Sequence, residues 1–161
     1  MPGKQKITTF LWFDGDAEEA ARFYTSIFKN SKILNVSRYP EGSPAPEGSV
    51  MTVDFELEGQ KFIALNAGPQ FEFTEAISLM VTCDNQKEVD YFWERLTADG
   101  GEESMCGWLK DKYGLSWQIT PTALMELMQD PDPARSKRVM EAMLQMRKID
   151  IAAIERAHEG V

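Results

Sequence analysis

Histidine is almost missing from this chain: one residue in 161, His158, near the C-terminal end. Catalytic transition metals want imidazole, carboxylate or thiolate donors, so a histidine-rich metal centre is excluded. His158 itself reads as a solvated surface residue. Cysteine is nearly as scarce. Cys83 and Cys106 are the whole complement, which rules out a disulfide scaffold and suits a reducing compartment. Basic residues are outnumbered, 17 against 26 acidic, and the net charge of −9 repels nucleic acid and anionic lipid alike. No stretch approaches the roughly 18 apolar residues of a membrane span. Met1-Pro2-Gly3-Lys4 runs straight into a strand pattern without a signal-peptide core, so the expected location is cytoplasmic. Gly15 and Gly68 stand alone, whereas a nucleotide-type cofactor usually sits on a glycine-rich strand-to-helix turn; no cofactor is expected.

What the chain does have is a core and a repeat. A hydrophobic content of 43% and an aromatic content of 11% support a packed globular protein of about one domain. Ile7 to Phe13 is a β-rich apolar run that Asp14-Gly15-Asp16 stops with a turn and a helix start. Ala17, Ala20, Ala21, Phe23, Tyr24, Ile27 and Phe28 follow at three- and four-residue steps, the period of an amphipathic helix. Later, Ile77 to Cys83 leads through Asp84-Asn85 into a helical pattern over residues 86–97. Setting Asp16 on Asn85, an offset of 69, also puts Ala20 on Val89, Phe23 on Phe92, Tyr24 on Trp93 and Ile27 on Leu96. One offset serving strand, turn and helix predicts two copies of a single unit.

Each copy continues with strands. Residues 33–39, 49–57 and 61–66 complete a first βαβββ module, the last two joined by Glu58-Gly59-Gln60. Pro40 to Gly48, with three prolines and two glycines, predicts a loop of the kind that covers a pocket. In the second module Asp99-Gly100-Gly101 ends the helix, and residues 108–112 and 115–120 form a hairpin around Tyr113-Gly114. Beyond Pro121 the pattern is helical: 123–128, then a helix capped by Asp132 with Pro133 in its first turn. Its Val139, Met143 and Met146 form a packing stripe. The expected class is α+β, with a domain over 5–121 made of modules 5–68 and 76–121, and a helical extension over 122–161.

The helix Asp16-Ala17-Glu18-Glu19-Ala20-Ala21-Arg22-Phe23-Tyr24, the stretch Val89-Asp90-Tyr91-Phe92-Trp93 and the run from Cys106-Gly107-Trp108-Leu109-Lys110-Asp111-Lys112-Tyr113-Gly114 to Leu115-Ser116-Trp117-Gln118 together resemble a known family. It is the PhnB-like branch of the glyoxalase/bleomycin-resistance (vicinal oxygen chelate) superfamily, often labelled 3-demethylubiquinone-9 3-methyltransferase-like. The resemblance covers residues 5 to 121 and implies a curved sheet built from the two modules. Metal-dependent superfamily members hold a divalent ion through His, Glu or Gln on the first and fourth strands of each module. Carried onto this sequence, those positions are Thr9, Ala64 or Asn66, Ser78 and Gln118. Hydroxyls, a methyl group and neutral amides are poor donors, so no metal is expected.

Strand alternation from the same starting point predicts a cavity face bearing Thr9, Leu11, Phe62, Ala64, Asn66, Ser78, Met80, Ser116 and Gln118, with Trp108 beside it, and places Phe10, Trp12, Ile63, Leu65, Leu79, Val81, Trp117 and Ile119 beneath the helices. An apolar surface with a few small polar groups suits a small organic molecule. Two function classes follow: a metal-free binding protein, or an enzyme on a small substrate in the same cavity, with a divalent ion held weakly by Gln118 and Asn66. Cys106 near Lys110 reads as a buried structural thiol, Asp54 and Glu56 as a solvated strand face, and Asp111 between two lysines as a hairpin charge cluster. Apolar groups in the tail, among them Met140, Leu144, Ile149 and Ile154, predict a homodimer built through the tail.

Overall fold

A computed structural model describes residues 4–161. The chain forms two compact units, the first ending at Glu72 and the second running Phe73–Val161. The first holds β1 (Thr9–Phe13), α1 (Ala17–Ile27), β2 (Lys32–Arg38), β3 (Val50–Leu57) and β4 (Gln60–Asn66). Its sheet has the order β1-β4-β3-β2, with β1 parallel to β4 and the other pairs antiparallel. The second holds β5 (Ser78–Cys83), α2 (Gln86–Thr97), β6 (Glu102–Glu103), β7 (Trp108–Lys110) and β8 (Ser116–Pro121), in the order β5-β8-β7-β6. Both are βαβββ modules, and the fold is α+β of the glyoxalase/bleomycin-resistance type.

In the first unit α1 buries Ala17, Ala20, Ala21, Tyr24 and Ile27 against β3 and β4. Tyr24 stacks on Phe55, with centroids 6.2 Å apart, and Phe55 stacks on Phe62 at 5.6 Å. Leu11, Phe13, Val53, Phe62 and Ala64 are buried with them. Burying a side chain of this size contributes about 1.5–3 kcal/mol. The helix start is unusual: Asp16 offers no side-chain cap, and the Ala17 N–H donates instead to Asn66 Oδ1 at 2.9 Å. Asn66 Nδ2 donates in turn to the Val50 carbonyl, so one amide at the end of β4 ties helix and sheet together. The loop between β2 and β3 is closed at its base by mutual backbone hydrogen bonds of Tyr39 with Gly48 and Ser49, and the Tyr39 hydroxyl donates to the Asn66 carbonyl.

In the second unit Val89, Trp93 and Leu96 of α2 lie with Leu109, Trp117, Ile119 and Cys83 in the core. Asn85 caps α2 by accepting from the Glu88 N–H, while Glu88 accepts from the Asp84 N–H; this reciprocal arrangement satisfies two donors at once. Asp111, only 2% exposed, organises the β7–β8 hairpin. Its carboxylate accepts from the Tyr113 and Leu115 N–H groups and from Trp117 Nε1.

Three further helices follow: α3 (Thr122–Met128), α4 (Pro133–Leu144) and α5 (Ile151–Glu159). Asp132 caps α4 as the sequence predicts, and Asp150 caps α5, a separate helix that the periodicity did not resolve. Leu124, Val139, Ile149 and Ile154 make a buried cluster of their own, with Leu127, Met128, Met143 and Met146 against it. Most tail residues expected to seek a partner subunit therefore find each other; Met140 and Leu144 stay exposed. Backbone bonds fasten the segment after α4 to the turn before β7: the Cys106 and Gly107 N–H groups donate to the Met146 and Arg147 carbonyls. Gly107 has φ 82°, and a Cβ there would come 2.9 Å from the Ile119 carbonyl and 3.1 Å from Ile149. Only glycine fits this crossing.

Candidate functional site

The two sheets present different faces than one offset implies. From Phe13 to Ala17 the chain spends three residues, Asp14-Gly15-Asp16, but from Cys83 to Gln86 only Asp84-Asn85. The helices thus match at an offset of 69 and the strands at 70. A shift of one residue turns every strand side chain to the other face. Thr9, Leu11, Phe62, Ala64 and Asn66, expected to line a cavity, belong to the row of strand positions that lies beneath α1, and Leu11, Phe62 and Ala64 are 4% exposed or less. Phe10, Trp12, Ile63 and Leu65, expected beneath the helix, take the opposite face, where Phe10 is 56% exposed. Trp12 Nε1 donates to the Gly68 carbonyl and its ring meets Phe71 edge-on.

In the second unit the expected assignment and the observed one coincide. Ser78 and Met80 of β5 stand opposite Ser116 and Gln118 of β8, and Trp108 and Lys110 of β7 stand opposite Gln118 and Ser116. All six lie on the face away from α2. Gln118 Nε2 donates to Ser78 Oγ at 2.9 Å, a bond that orients both side chains and leaves the Gln118 carbonyl oxygen available. Beside this pair is a recess of about 150 Å³, lined by Glu75, Glu102, Ser104, Trp108, Lys110 and Ser116 among others. Lys110 is ion-paired with Glu75, which raises the lysine's pKa and holds the Glu75 carboxyl below the usual range. Ser116 is 1% exposed and its Oγ has no hydrogen-bond partner. A buried hydroxyl left this way costs about 1–3 kcal/mol.

The other candidates have structural roles. Asp111 is held by three donors inside the hairpin. Glu56 pairs with Lys32 at 3.8 Å, and Asp54 lies on the same strand face. Cys83 is buried, and desolvation, with Glu88 and Asp84 nearby, pushes its thiol up to about 12; it is not a nucleophile at neutral pH. Cys106 is half-buried, with φ 60°, in the turn held by the tail. His158 is not a solvated residue: its Nε2 lies 2.7 Å from Asp130 Oδ2, and both side chains are less than one-fifth exposed. Sequence reasoning missed the part played by Asn66 at α1 and by Lys110 and Glu75 at the recess. The Lys110–Glu75 pair is separated in sequence by β5, α2 and β6 and leaves no local signal.

The superfamily's metal positions, moved to the correct face, fall on Thr8, Ile63, Ser78 and Gln118. These residues do not fit a tightly held transition metal, since two hydroxyls, one amide and an alkyl group offer no strong donor. Nowhere among the described residues do three His, Cys, Asp or Glu side chains gather in metal-binding geometry. The methyl-donor nucleotide implied by the label fits no better. The strand-to-helix turns, Asp14-Gly15-Asp16 with one glycine and Asp84-Asn85 with none, lack the glycine-rich run that lets a backbone approach a nucleotide cofactor.

Paired βαβββ modules, each with its helix on one face of a four-stranded sheet, define the glyoxalase/bleomycin-resistance class of proteins. Residues 5–120 match the family described as 3-demethylubiquinone-9 3-methyltransferase, and the chain belongs to that PhnB-like family. It is 45% identical to the PhnB protein from Bacillus cereus, a match that covers 73% of this chain and 99% of that one with a TM-score of 0.66. A protein from Pseudomonas aeruginosa shares the fold at 19% identity, with 73% and 98% covered and a TM-score of 0.60. So does the fosfomycin resistance protein FosX from Listeria monocytogenes, at 18% identity, 78% and 96% covered, TM-score 0.53. Among curated proteins no match is found. Residues 121–161 lie beyond the family match. No helix among the described residues is long and apolar enough to cross a membrane.

Proposed function

We propose that the protein binds a small organic molecule on the face of the second sheet that carries Ser78, Met80, Trp108, Ser116 and Gln118, and that it does so without a tightly held transition metal. The observation that carries this reading is the Ser116 hydroxyl: buried, without a partner, and on the same face as the hydrogen-bonded Gln118–Ser78 pair. Groups kept polar and unsatisfied inside a fold are stabilised when a ligand supplies the missing partner. Trp108 offers an aromatic surface next to them. Thr9, Leu11, Phe62, Ala64 and Asn66 act in this reading as the support of α1. The family's methyltransferase description carries no step here, because no turn suits its cofactor.

Gln118→Leu is the direct test. Loss of an orienting hydrogen bond should weaken ligand binding by roughly 0.5–1.5 kcal/mol with little change in melting temperature. Native mass spectrometry of freshly purified, untagged protein checks the rest. A co-purifying small molecule and no stoichiometric zinc, nickel, manganese or iron is the expected outcome; a stoichiometric transition metal overturns the metal-free reading. The same spectrum tests a homodimer, in which the exposed tail residues Met140 and Leu144 would be covered. A cytoplasmic location is supported by the two free thiols.

A further inference from the structure

The recess beside Ser116 also has a charge, and the charge selects a ligand class. Glu75, Glu102 and Glu103 line it with a single ammonium, Lys110, although the Glu103 carboxylate turns to the α2 side of the sheet. Two of the three are already engaged. Glu75 is paired with Lys110, and Glu103 accepts from Trp93 Nε1 at 2.7 Å with Arg147 at 3.7 Å. Among the described residues Glu102 has no ion-pair partner, although Lys110 stands opposite it across the β6–β7 ladder. An indole ring, from Trp108, completes the surroundings, and an indole face is the aromatic surface that attracts cations most strongly. The Ser116 oxygen has free lone pairs, so it can accept from an N–H donor.

We infer that this recess takes a small organic cation, a primary ammonium on a body about the size of one aromatic ring, with Glu102 as counter-charge, Ser116 as acceptor and Trp108 beneath. The size follows from the volume of about 150 Å³, which matches a cavity that accommodates benzene. The inference rests on the small-molecule reading above and narrows it. An anion would face an excess of carboxylates, and a neutral molecule would gain nothing from Glu102, which is exposed and already feels the Lys110 ammonium.

Benzylammonium, benzyl alcohol and benzoate are near-isosteric probes that differ in charge. Each is titrated into the full-length ¹⁵N-labelled protein, with the amides of Trp108, Lys110 and Ser116 as reporters. Benzylammonium should shift these amides at the lowest concentration, and Glu102→Gln should raise its Kd about two- to fivefold, the worth of a partly exposed ion pair, without changing that of benzyl alcohol. Ser116→Ala removes a hydroxyl that has no partner, so the fold should hold while benzylammonium weakens. If benzyl alcohol or benzoate binds the same amides as tightly, the cation inference is overturned and the small-molecule reading stands. If benzylammonium binds but neither variant weakens it, the assignment to Glu102 and Ser116 is wrong. If none of the three moves these amides, both readings fall.

Discussion

The two units share an element order and differ in what they leave uncovered. In the first, the face opposite the helix carries Phe10, Trp12, Ile63 and Leu65; in the second, Ser78, Met80, Ser116 and Gln118 stand on the matching strands. Their cores are alike: aromatic and aliphatic side chains under one amphipathic helix. What distinguishes them is a single residue in the turn between first strand and helix, together with the polarity of the free face. Duplicated modules need only keep the buried row of side chains to keep the fold. The other row is then free to differ, apolar in one unit and polar in the other.

Overpacking gives the strongest test of that contrast. Ala64→Phe adds a ring beneath α1, where no space remains, and should destabilise the protein by about 1–3 kcal/mol or more. Ser78→Phe, on the free face of the second unit, should cost far less stability and instead block ligand. Thermal melts of both variants check the pair; equal losses would mean that the faces are not distinct. Next in size is Asn66→Ala. It leaves the Ala17 N–H and the Val50 carbonyl without their side-chain partner, and a loss of about 1–2 kcal/mol is expected, seen as earlier hydrogen exchange in α1 than in α2. Asn85→Ala, the corresponding change in the second unit, should cost about 1 kcal/mol.

A smaller effect concerns the tail of the second unit. Gln86 Nε2 donates to the Ile149 carbonyl and Gln86 Oε1 accepts from the Ile151 N–H, so Gln86→Ala should loosen α5 by about 1 kcal/mol, with faster exchange in residues 149–159 and none in the first unit. The smallest effect is set by pH. Asp130 is held below its ordinary carboxylate range by the Asp132 N–H and then by His158. A carboxyl lowered in the folded state contributes stability that is present above its unfolded value, about pH 4, and is lost as the pH falls through the lower folded value. Tail exchange should therefore rise on acidification below about pH 4, and Asp130→Asn should flatten that dependence.

How much of this was legible in the sequence depended on the strand. Ser116-Trp117-Gln118-Ile119-Thr120 alternates polar and apolar, so its buried face can be read directly. Phe10-Leu11-Trp12-Phe13 and Phe62-Ile63-Ala64-Leu65 are apolar throughout. Such runs carry no parity, and the repeat had to supply it; the extra turn residue then carried the error through every position of the unit. The Asp132 cap with its proline, the hairpin around Tyr113-Gly114 and the family were readable because each rests on neighbours in sequence, whereas the burial of Asp111 was not. The role of Asn66 was not, since it reaches 49 residues back to Ala17. Nor was the tail's private core, where a break at residues 145–150 folds one apolar stripe against another.

The backbone clasp on Cys106 and Gly107 also imposes an order of events on synthesis. The helix and all four strands of the first unit have been synthesised by the time Glu72 is added, ahead of the whole second unit. The turn that leads into Trp108 must wait for the carbonyls of Met146 and Arg147, some forty residues downstream. During that interval the Cys106 and Gly107 N–H groups are without these two partners.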